Sequence, residues 1–384
     1  MKTTLENNTL TIFLEGRIDS GNVASVEAEL MSALVPGAAV VLDAGELEYV
    51  SSAGLRMLLK LQRGLDAALP VLNVSPAVYE ILEVTGFTSI LDVRKRLREV
   101  SVEGCEIIGR GAVGTVYRLD ADTIVKVYDV PDAMAMIENE QRLAKLAFLH
   151  GIPTAISYDI VKVGARYGVV FELLRASTLA SRFQSEPEKT DSLVSSYADV
   201  IRLVHAVELT PGELPDSRDT FARYIDVLED ELGETLAARL RALLDAMPRD
   251  LHVIHGDIHM KNLLFSGDEP ILIDMDTLSV GNLAFEFAGL FVGYKAFAED
   301  EPGNSLRFYG LPQEQMDHIW DELLTYFPGA SGQGEDRIRV LAYIRYLYLL
   351  VKLEMGVPEL REIRIRKALD RLALLSERVD GLGI

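Results

Sequence analysis

His255-Gly256-Asp257-Ile258-His259-Met260-Lys261-Asn262, followed by the apolar run Leu263-Leu264-Phe265 and then by Ile271-Leu272-Ile273-Asp274-Met275-Asp276, is the stretch on which the fold turns. Phosphoryl transfer from a nucleotide needs one aspartate to orient the attacking hydroxyl and accept its proton. It also needs an asparagine and a second aspartate to hold magnesium against the phosphates. Asp257 and Asn262 stand at the spacing of a catalytic loop, and Asp274 follows an apolar strand that would carry it to the metals. A rival reading takes His252, His255 and His259 as zinc ligands. The Asp/Asn spacing already accounts for this loop, so the phosphoryl-transfer reading is preferred.

Upstream, Gly109-Arg110-Gly111-Ala112-Val113-Gly114 precedes the β-formers Thr115-Val116-Tyr117. Glycines at Gly109, Gly111 and Gly114 let backbone N–H groups approach phosphate oxygens. In a dinucleotide-binding fold this pattern joins a strand to a helix, whereas here it reads as a hairpin. Lys126 then sits inside the apolar strand Ile124-Val125-Lys126-Val127-Tyr128. A buried ammonium is costly unless paired, and its natural partners are phosphates and a carboxylate. The helix predicted over 133–148 offers Glu138 and Glu140. Leu143, Ala144 and Ala147 share the face of Glu140, which favours Glu140 as the partner.

Residues 105–384 therefore open with closely spaced strands and become helical after Leu174, apart from an insertion at 252–279. On these motifs the region resembles the aminoglycoside phosphotransferase and choline kinase branch of the protein-kinase-like fold. The resemblance implies a β-rich N-lobe over 105–174 and a helical C-lobe over 175–384. By it Gly109, Gly111 and Gly114 cover ATP, and Lys126 contacts the α/β-phosphates and pairs with Glu140. Phe171, Glu172, Leu173 and Leu174 form the adenine-contacting hinge. Asp257 matches the catalytic base, and Asn262 and Asp274 the ligands of magnesium, two ions in this fold. Gly256 stands where protein kinases carry an arginine, His259 where they carry a lysine, and the interval from Asp274 to Glu286 is too short for a long activation segment. These departures resemble small-molecule kinases. Asp276 replaces the glycine of Asp-Phe-Gly and is read as structural.

Residues 1–97 alternate strands (Leu10–Leu14, Ala39–Leu42, Pro70–Val74) with helical spacing at Val23–Leu34 and Gly54–Leu65, and a third helix is expected from Pro76. This is the pattern of a small α/β domain. Residues 8–97 resemble the STAS domain of bacterial anti-sigma-factor antagonists, with Tyr49-Val50-Ser51-Ser52-Ala53-Gly54-Leu55 matching their phosphoserine loop. The resemblance puts Ser52 at the phosphoacceptor position, although Ser51 replaces the usual aspartate. A helix N-terminus also suits phosphate, while a serine there caps the helix in any case. The charged run Arg94–Glu99 marks the junction, with a linker over 98–104.

The chain of 384 residues carries 59 acidic against 38 basic side chains, a formal net charge of −21. That balance argues against unaided binding to nucleic acid or to an anionic membrane. Its one cysteine, Cys105, excludes an intramolecular disulfide framework and suits a reducing compartment. The opening MKTTLENNTL lacks the apolar core of a secretory signal, and Val340–Val357 is interrupted by Arg345, Lys352 and Glu354. A cytoplasmic, bacterial enzyme is expected, transferring phosphate from ATP to a small-molecule hydroxyl, with the STAS module docking a regulatory protein. Two alternatives stand beside it: a protein kinase for a STAS serine, and a nucleotide-binding pseudokinase scaffold. Acidic stretches at Glu229–Glu234 and Glu299–Glu301 would attract an amine-bearing acceptor or simply be solvated helix faces.

Overall fold

The structure, a computed structural model, describes residues 1–65, 67–111, 113–130, 133–301 and 303–384, so Ala112 of the glycine motif lies outside the described residues. It divides into two compact units, Met1–Glu103 with Ile160–Gly168, and Gly104–Asp159 with Val169–Ile384.

The first unit is an α/β domain, as its alternation of strand and helix patterns leads one to expect. Strands β1 (Lys2–Glu6), β2 (Thr9–Ile18), β3 (Ala39–Val50), β4 (Pro70–Val74) and β5 (Asp92–Lys95) lie in that order. β1 is antiparallel to β2 and the remaining pairs are parallel. Parallel neighbours need crossovers, which helices α1 (Val23–Ala33) and α2 (Ser52–Gln62) supply, followed by α3 (Pro76–Val84). Leu55, Met57, Leu58 and Leu61 of α2 and Val78 and Leu82 of α3 bury with Leu10, Ile12 and Leu14 of β2. Ser51 and Ser75 cap α2 and α3, accepting from the backbone N–H of Gly54 and Val78. A short strand β6 (Arg98–Glu99) pairs in parallel with Val161 and Lys162.

The second unit opens on β7 (Ile107–Arg110), β8 (Gly114–Arg118) and β9 (Thr123–Tyr128), an antiparallel meander. Helix α4 (Met134–Leu149) follows, then β10 (Ser157–Val163) and β11 (Arg166–Glu172), of which residues 160–168 group with the first unit. The remainder is helical around one large core, with Thr190–His205, Leu283–Phe291, Gln313–Thr325 and Gln333–Val351 among its members. Two small β features interrupt it: the hairpin Leu263–Ser266 with Glu269–Leu272, and Val253–Ile254 paired with Ser279–Val280. Gln333–Val351 buries residues on most of its circumference from Ile338 onward, which matches an apolar run from Val340 to Val351 broken by Arg345. Among the described residues no helix is long and apolar enough to cross a membrane.

Gly54 is fixed by close approach within the first unit. A Cβ there would lie 2.7 Å from Val50 Cγ2 and 3.1 Å from the Ile18 carbonyl oxygen. Alanine has the better helix propensity by about 1 kcal/mol, yet Gly54→Ala is expected to destabilise the unit by about 1–3 kcal/mol through overpacking. Urea unfolding of the full chain checks this, and equal or higher stability would contradict the packing.

Candidate active site

Lys126 is the centre of the site. Strand β9 buries Val125 and Val127 on one face and turns the Lys126 side chain, 17% exposed, toward α4. Its Nζ donates to Glu140 Oε1 at 3.1 Å and to Asp274 Oδ1 at 2.7 Å. Glu140 is buried and also accepts from the Tyr128 hydroxyl, while Glu138 is exposed. Burial by itself pulls the ammonium's pKa down, but Asp274 and Glu140 outweigh it and hold Lys126 above the ordinary lysine range. Asp274 adopts a left-handed backbone, φ 58°, a conformation that costs most residues energy and that Asp and Asn tolerate.

The catalytic-loop residues are held by a buried network. Asn262 Nδ2 donates to the Asp257 carbonyl at 3.0 Å and to its Oδ2 at 3.3 Å. His255 Nδ1 accepts from the Asp257 amide at 3.3 Å, which leaves the ring proton on Nε2 facing the Ile273 carbonyl at 3.1 Å. That hydrogen bond joins the loop to the strand residue preceding Asp274. Glu286, 2% exposed, accepts from the backbone N–H of His255 at 2.6 Å and of Gly256 at 3.0 Å. Burial pushes its carboxyl up, against His255 and those amides. Tyr197 donates to the Ile258 carbonyl at 2.8 Å, and Tyr294, on a π-wound turn, accepts from the Met260 N–H at 3.2 Å. Gly256 has φ 80°, and a Cβ there would meet the Thr277 carbonyl at 2.8 Å. Both constraints demand glycine at this position.

Asp257 is 36% exposed, and Arg345 approaches its Oδ1 at 3.4 Å. Neither Glu286 nor Arg345 was singled out for a role from sequence. The signal was present in each case: Glu286 is the lone charged residue of Leu283–Phe291, and Arg345 is the lone one in the run from Val340 to Val351. The histidines do not converge as zinc ligands. His255 is spent inside the loop, His259 Nε2 lies 3.7 Å from Asp257 Oδ2, and His252 bonds Asp250 at 2.6 Å. Asp276 is exposed as a residue, yet the desolvation of its carboxyl, and then Asp274 and Glu140, push it up to about 6.

The oxygen donors here suit a hard divalent cation. The Asp274 carboxylate is 46% exposed, and among the described residues nothing donates to Asn262 Oδ1. The surplus of Asp257, Asp274, Asp276 and Glu140 over Lys126 is the charge such an ion would offset.

In the glycine hairpin, Gly111 N–H donates to the Gly114 carbonyl at 2.9 Å. Gly114 opposes Tyr128 across the ladder, and a Cβ there would lie 2.3 Å from the Val127 carbonyl. Among the described residues, a Cβ at Gly109 or Gly111 would approach nothing closer than 3.7 Å. The first and second glycines are thus not required by packing. In the hinge, Phe171 and Glu172 end β11, and the Leu173 N–H is taken by the Asp122 carbonyl at 2.7 Å. A cavity of about 600 Å³ lies against Leu173 and Leu174 and is lined also by Arg118, Arg182 and Phe265, with none of the Lys126 cluster in its wall. In the first unit Ser52 is exposed at the first position of α2, with the cap itself supplied by Ser51.

Residues 104–322 match the phosphotransferase enzyme family, and residues 1–93 match a family described as "Mlab, STAS domain". A putative anti-sigma factor antagonist, BtrV of Bordetella bronchiseptica, is 39% identical over 99 residues, 24% of this chain and 85% of the relative. Among solved structures, ADP-bound aminoglycoside phosphotransferase APH(2'')-Ib superposes with a TM-score of 0.48 at 14% identity, covering 77% of this chain and 98% of that one. Macrolide 2'-phosphotransferase MphH from Brachybacterium faecium gives 0.38 at 16% identity, covering 70% and 94%.

Two glycine substitutions separate packing from ligand approach. Gly114→Ala is expected to lower stability, by about 1–3 kcal/mol if strand β9 shifts to admit the methyl. Gly111→Ala is expected to leave stability within about 0.5 kcal/mol while weakening Mg-ATP binding, as read by thermal unfolding and calorimetry on each variant. Unchanged nucleotide affinity in Gly111→Ala would remove the hairpin from the nucleotide site.

Proposed function

The chain belongs to the phosphotransferase enzyme family and carries an N-terminal STAS domain, and from that premise we propose that it transfers the γ-phosphoryl group of ATP to a hydroxyl of a small molecule. The observation that carries this reading is the bridge from Asn262 Nδ2 to Asp257, set beside Lys126 held between Glu140 and Asp274. Asp257 orients the acceptor hydroxyl and takes its proton as the oxygen bonds the γ-phosphorus. The bond to the β-phosphate oxygen breaks with its electron pair and ADP leaves. Lys126 exchanges part of its Asp274 contact for the α/β-phosphates, acting as a fixed positive charge. Gly109 and Gly111 let the hairpin backbone close over the phosphates, and Phe171 to Leu174 border the base. Asp274 and Asn262 Oδ1 would hold magnesium, with Asp276 beside them; the ion supplies charge neutralisation of the phosphates. In this reading the STAS domain is the docking or regulatory module, and a dependence on ATP suits a cytoplasmic protein.

One observation favours a second reading, a kinase for a STAS serine: Ser52 stands exposed at a helix N-terminus whose capping is already done by Ser51. Phosphate there would add a charge of about −1.5 to −2 at the favourable end of the dipole.

Labelled Mg-ATP, with and without a pool of small hydroxylated metabolites, tests both. Label on small molecules is the expected outcome, and nucleotide binding without any transfer would leave a scaffold. Asp257→Asn should keep nucleotide affinity and lose roughly 10²–10⁴ in kcat. Asp274→Asn, which keeps the left-handed backbone comfortable, should lose Mg-nucleotide affinity as well as turnover. Full activity in either variant would sink the assignment. Intact mass after ATP incubation tests the second reading, and the expected outcome is no added phosphate in wild type. A phosphate added to wild type and absent from Ser52→Ala would reverse the preference.

A further inference from the structure

We infer that Arg345 is a positioning residue for Asp257, an inference that rests on the phosphotransferase reading above. Arg345 lies on Gln333–Val351, beyond residues 104–322 that match the enzyme family. Its guanidinium, 18% exposed at the side chain, donates through Nη1 to the Gly256 carbonyl and through Nη2 to Asp257 Oδ1. One planar fork therefore spans the loop backbone and the reacting carboxylate, a geometry that a lysine point charge does not reproduce. The other oxygen, Oδ2, is held by Asn262 Nδ2 at 3.3 Å. With both oxygens addressed, the carboxylate plane is fixed while the group stays open enough to meet an acceptor.

A second feature shows that the fold makes room for this contact. Gly289, on Leu283–Phe291, faces the guanidinium: a Cβ there would lie 2.8 Å from Arg345 Nη1 and 3.0 Å from the Gly256 carbonyl. Its backbone is ordinary helix, so conformational freedom does not explain a glycine at this position; the passage of Arg345 does. The Gly256 peptide is consequently clamped on both sides, its N–H by Glu286 and its carbonyl by Arg345. The acceptor-orienting group is tied to a helix remote in sequence from the loop that bears it.

The test uses the full chain, Mg-ATP as the probe and water as the acceptor, with ADP release as the readout. Arg345→Met is expected to lower kcat by roughly 10–100-fold through misplacement of Asp257, with KM for Mg-ATP unchanged within about twofold. Arg345→Lys should recover part of the loss. Gly289→Ala should reproduce the loss by displacing the guanidinium while the fold persists. In an Asp257→Asn background, Arg345→Met should have no further effect, because the two residues act as a unit. Wild-type kcat in Arg345→Met, or an equal loss with and without Asp257, overturns the proposal in favour of a merely structural tie. Should wild type bind Mg-ATP without turnover, the phosphotransferase reading fails on its own. Amide exchange over residues 255–262 then decides Arg345: faster exchange in Arg345→Met and Gly289→Ala supports the clamp, and unchanged protection refutes it.

Discussion

An ammonium in the middle of an apolar strand has to be matched by negative charge, and the second unit is arranged around that requirement. Strand β9 fixes where Lys126 emerges, α4 brings Glu140 to it from one side, and the segment after Ile273 brings Asp274 from the other. Removing one member of a buried ion pair costs about 3–5 kcal/mol because the survivor stays uncompensated. The exposed Asp274 reduces that figure on its own side, since water screens it. On the proposed reading this asymmetry has a functional sense: Glu140, held by Tyr128, would be the permanent partner, and the more exposed Asp274 the one released toward a cation or phosphate.

The loop carrying Asp257 shows the complementary principle, polar groups held by polar groups in a dry core. Glu286, Tyr197, Tyr294 and His255 each satisfy a main-chain group of residues 255–260. None of them needs to touch a substrate to matter. If Asp257 is the reacting carboxylate proposed above, a misplacement of about an ångström would cost two orders of magnitude in rate, and a loop with this many fixed amides and carbonyls would hold it in place before any ligand arrives.

Much of this was legible in the sequence because it is written in short-range spacing. The strands Leu10–Leu14 and Pro70–Val74, the helix after Pro76 and the strand-to-helix succession of residues 105–174 follow local periodicity and turn chemistry. β1 escaped because all five of its residues are exposed and carry no apolar alternation. β5 escaped because it lies within a charged run that reads as a junction. β3 continues well past Leu42, through Glu46 and Glu48, where alternation is masked by acidic residues. Glu140 could be preferred over Glu138 from helix phase alone. Arg345 could not be connected to Asp257, because that contact depends on a tertiary approach of elements 88 residues apart that no local pattern encodes.

The charge balance changes meaning once pairing is visible. A net charge of −21 suggests a surface inviting a cationic acceptor, and Glu299–Glu301 and Glu229–Glu234 are the obvious places for one. Yet Glu299 pairs with Arg371, Asp300 with Lys367, and Glu301 with both Arg307 and Arg364, the last fully buried. Glu229 is held by Arg241 and Glu231 by Lys352. Asp230 and Glu234 are exposed and fit a solvated helix face, whereas the paired carboxylates are not free anions. An amine-bearing acceptor would have to displace the chain's own cations to reach them, and for Glu301 it would strand a buried guanidinium. Next to Asp257 itself the guanidinium of Arg345 and the His259 ring approach its two oxygens, while Asp276 lies close enough for the two carboxylates to repel, so the charge around Asp257 is mixed. On the proposed reading, selection of an acceptor would rest on the few groups beside Asp257 and not on the acidity of the chain as a whole.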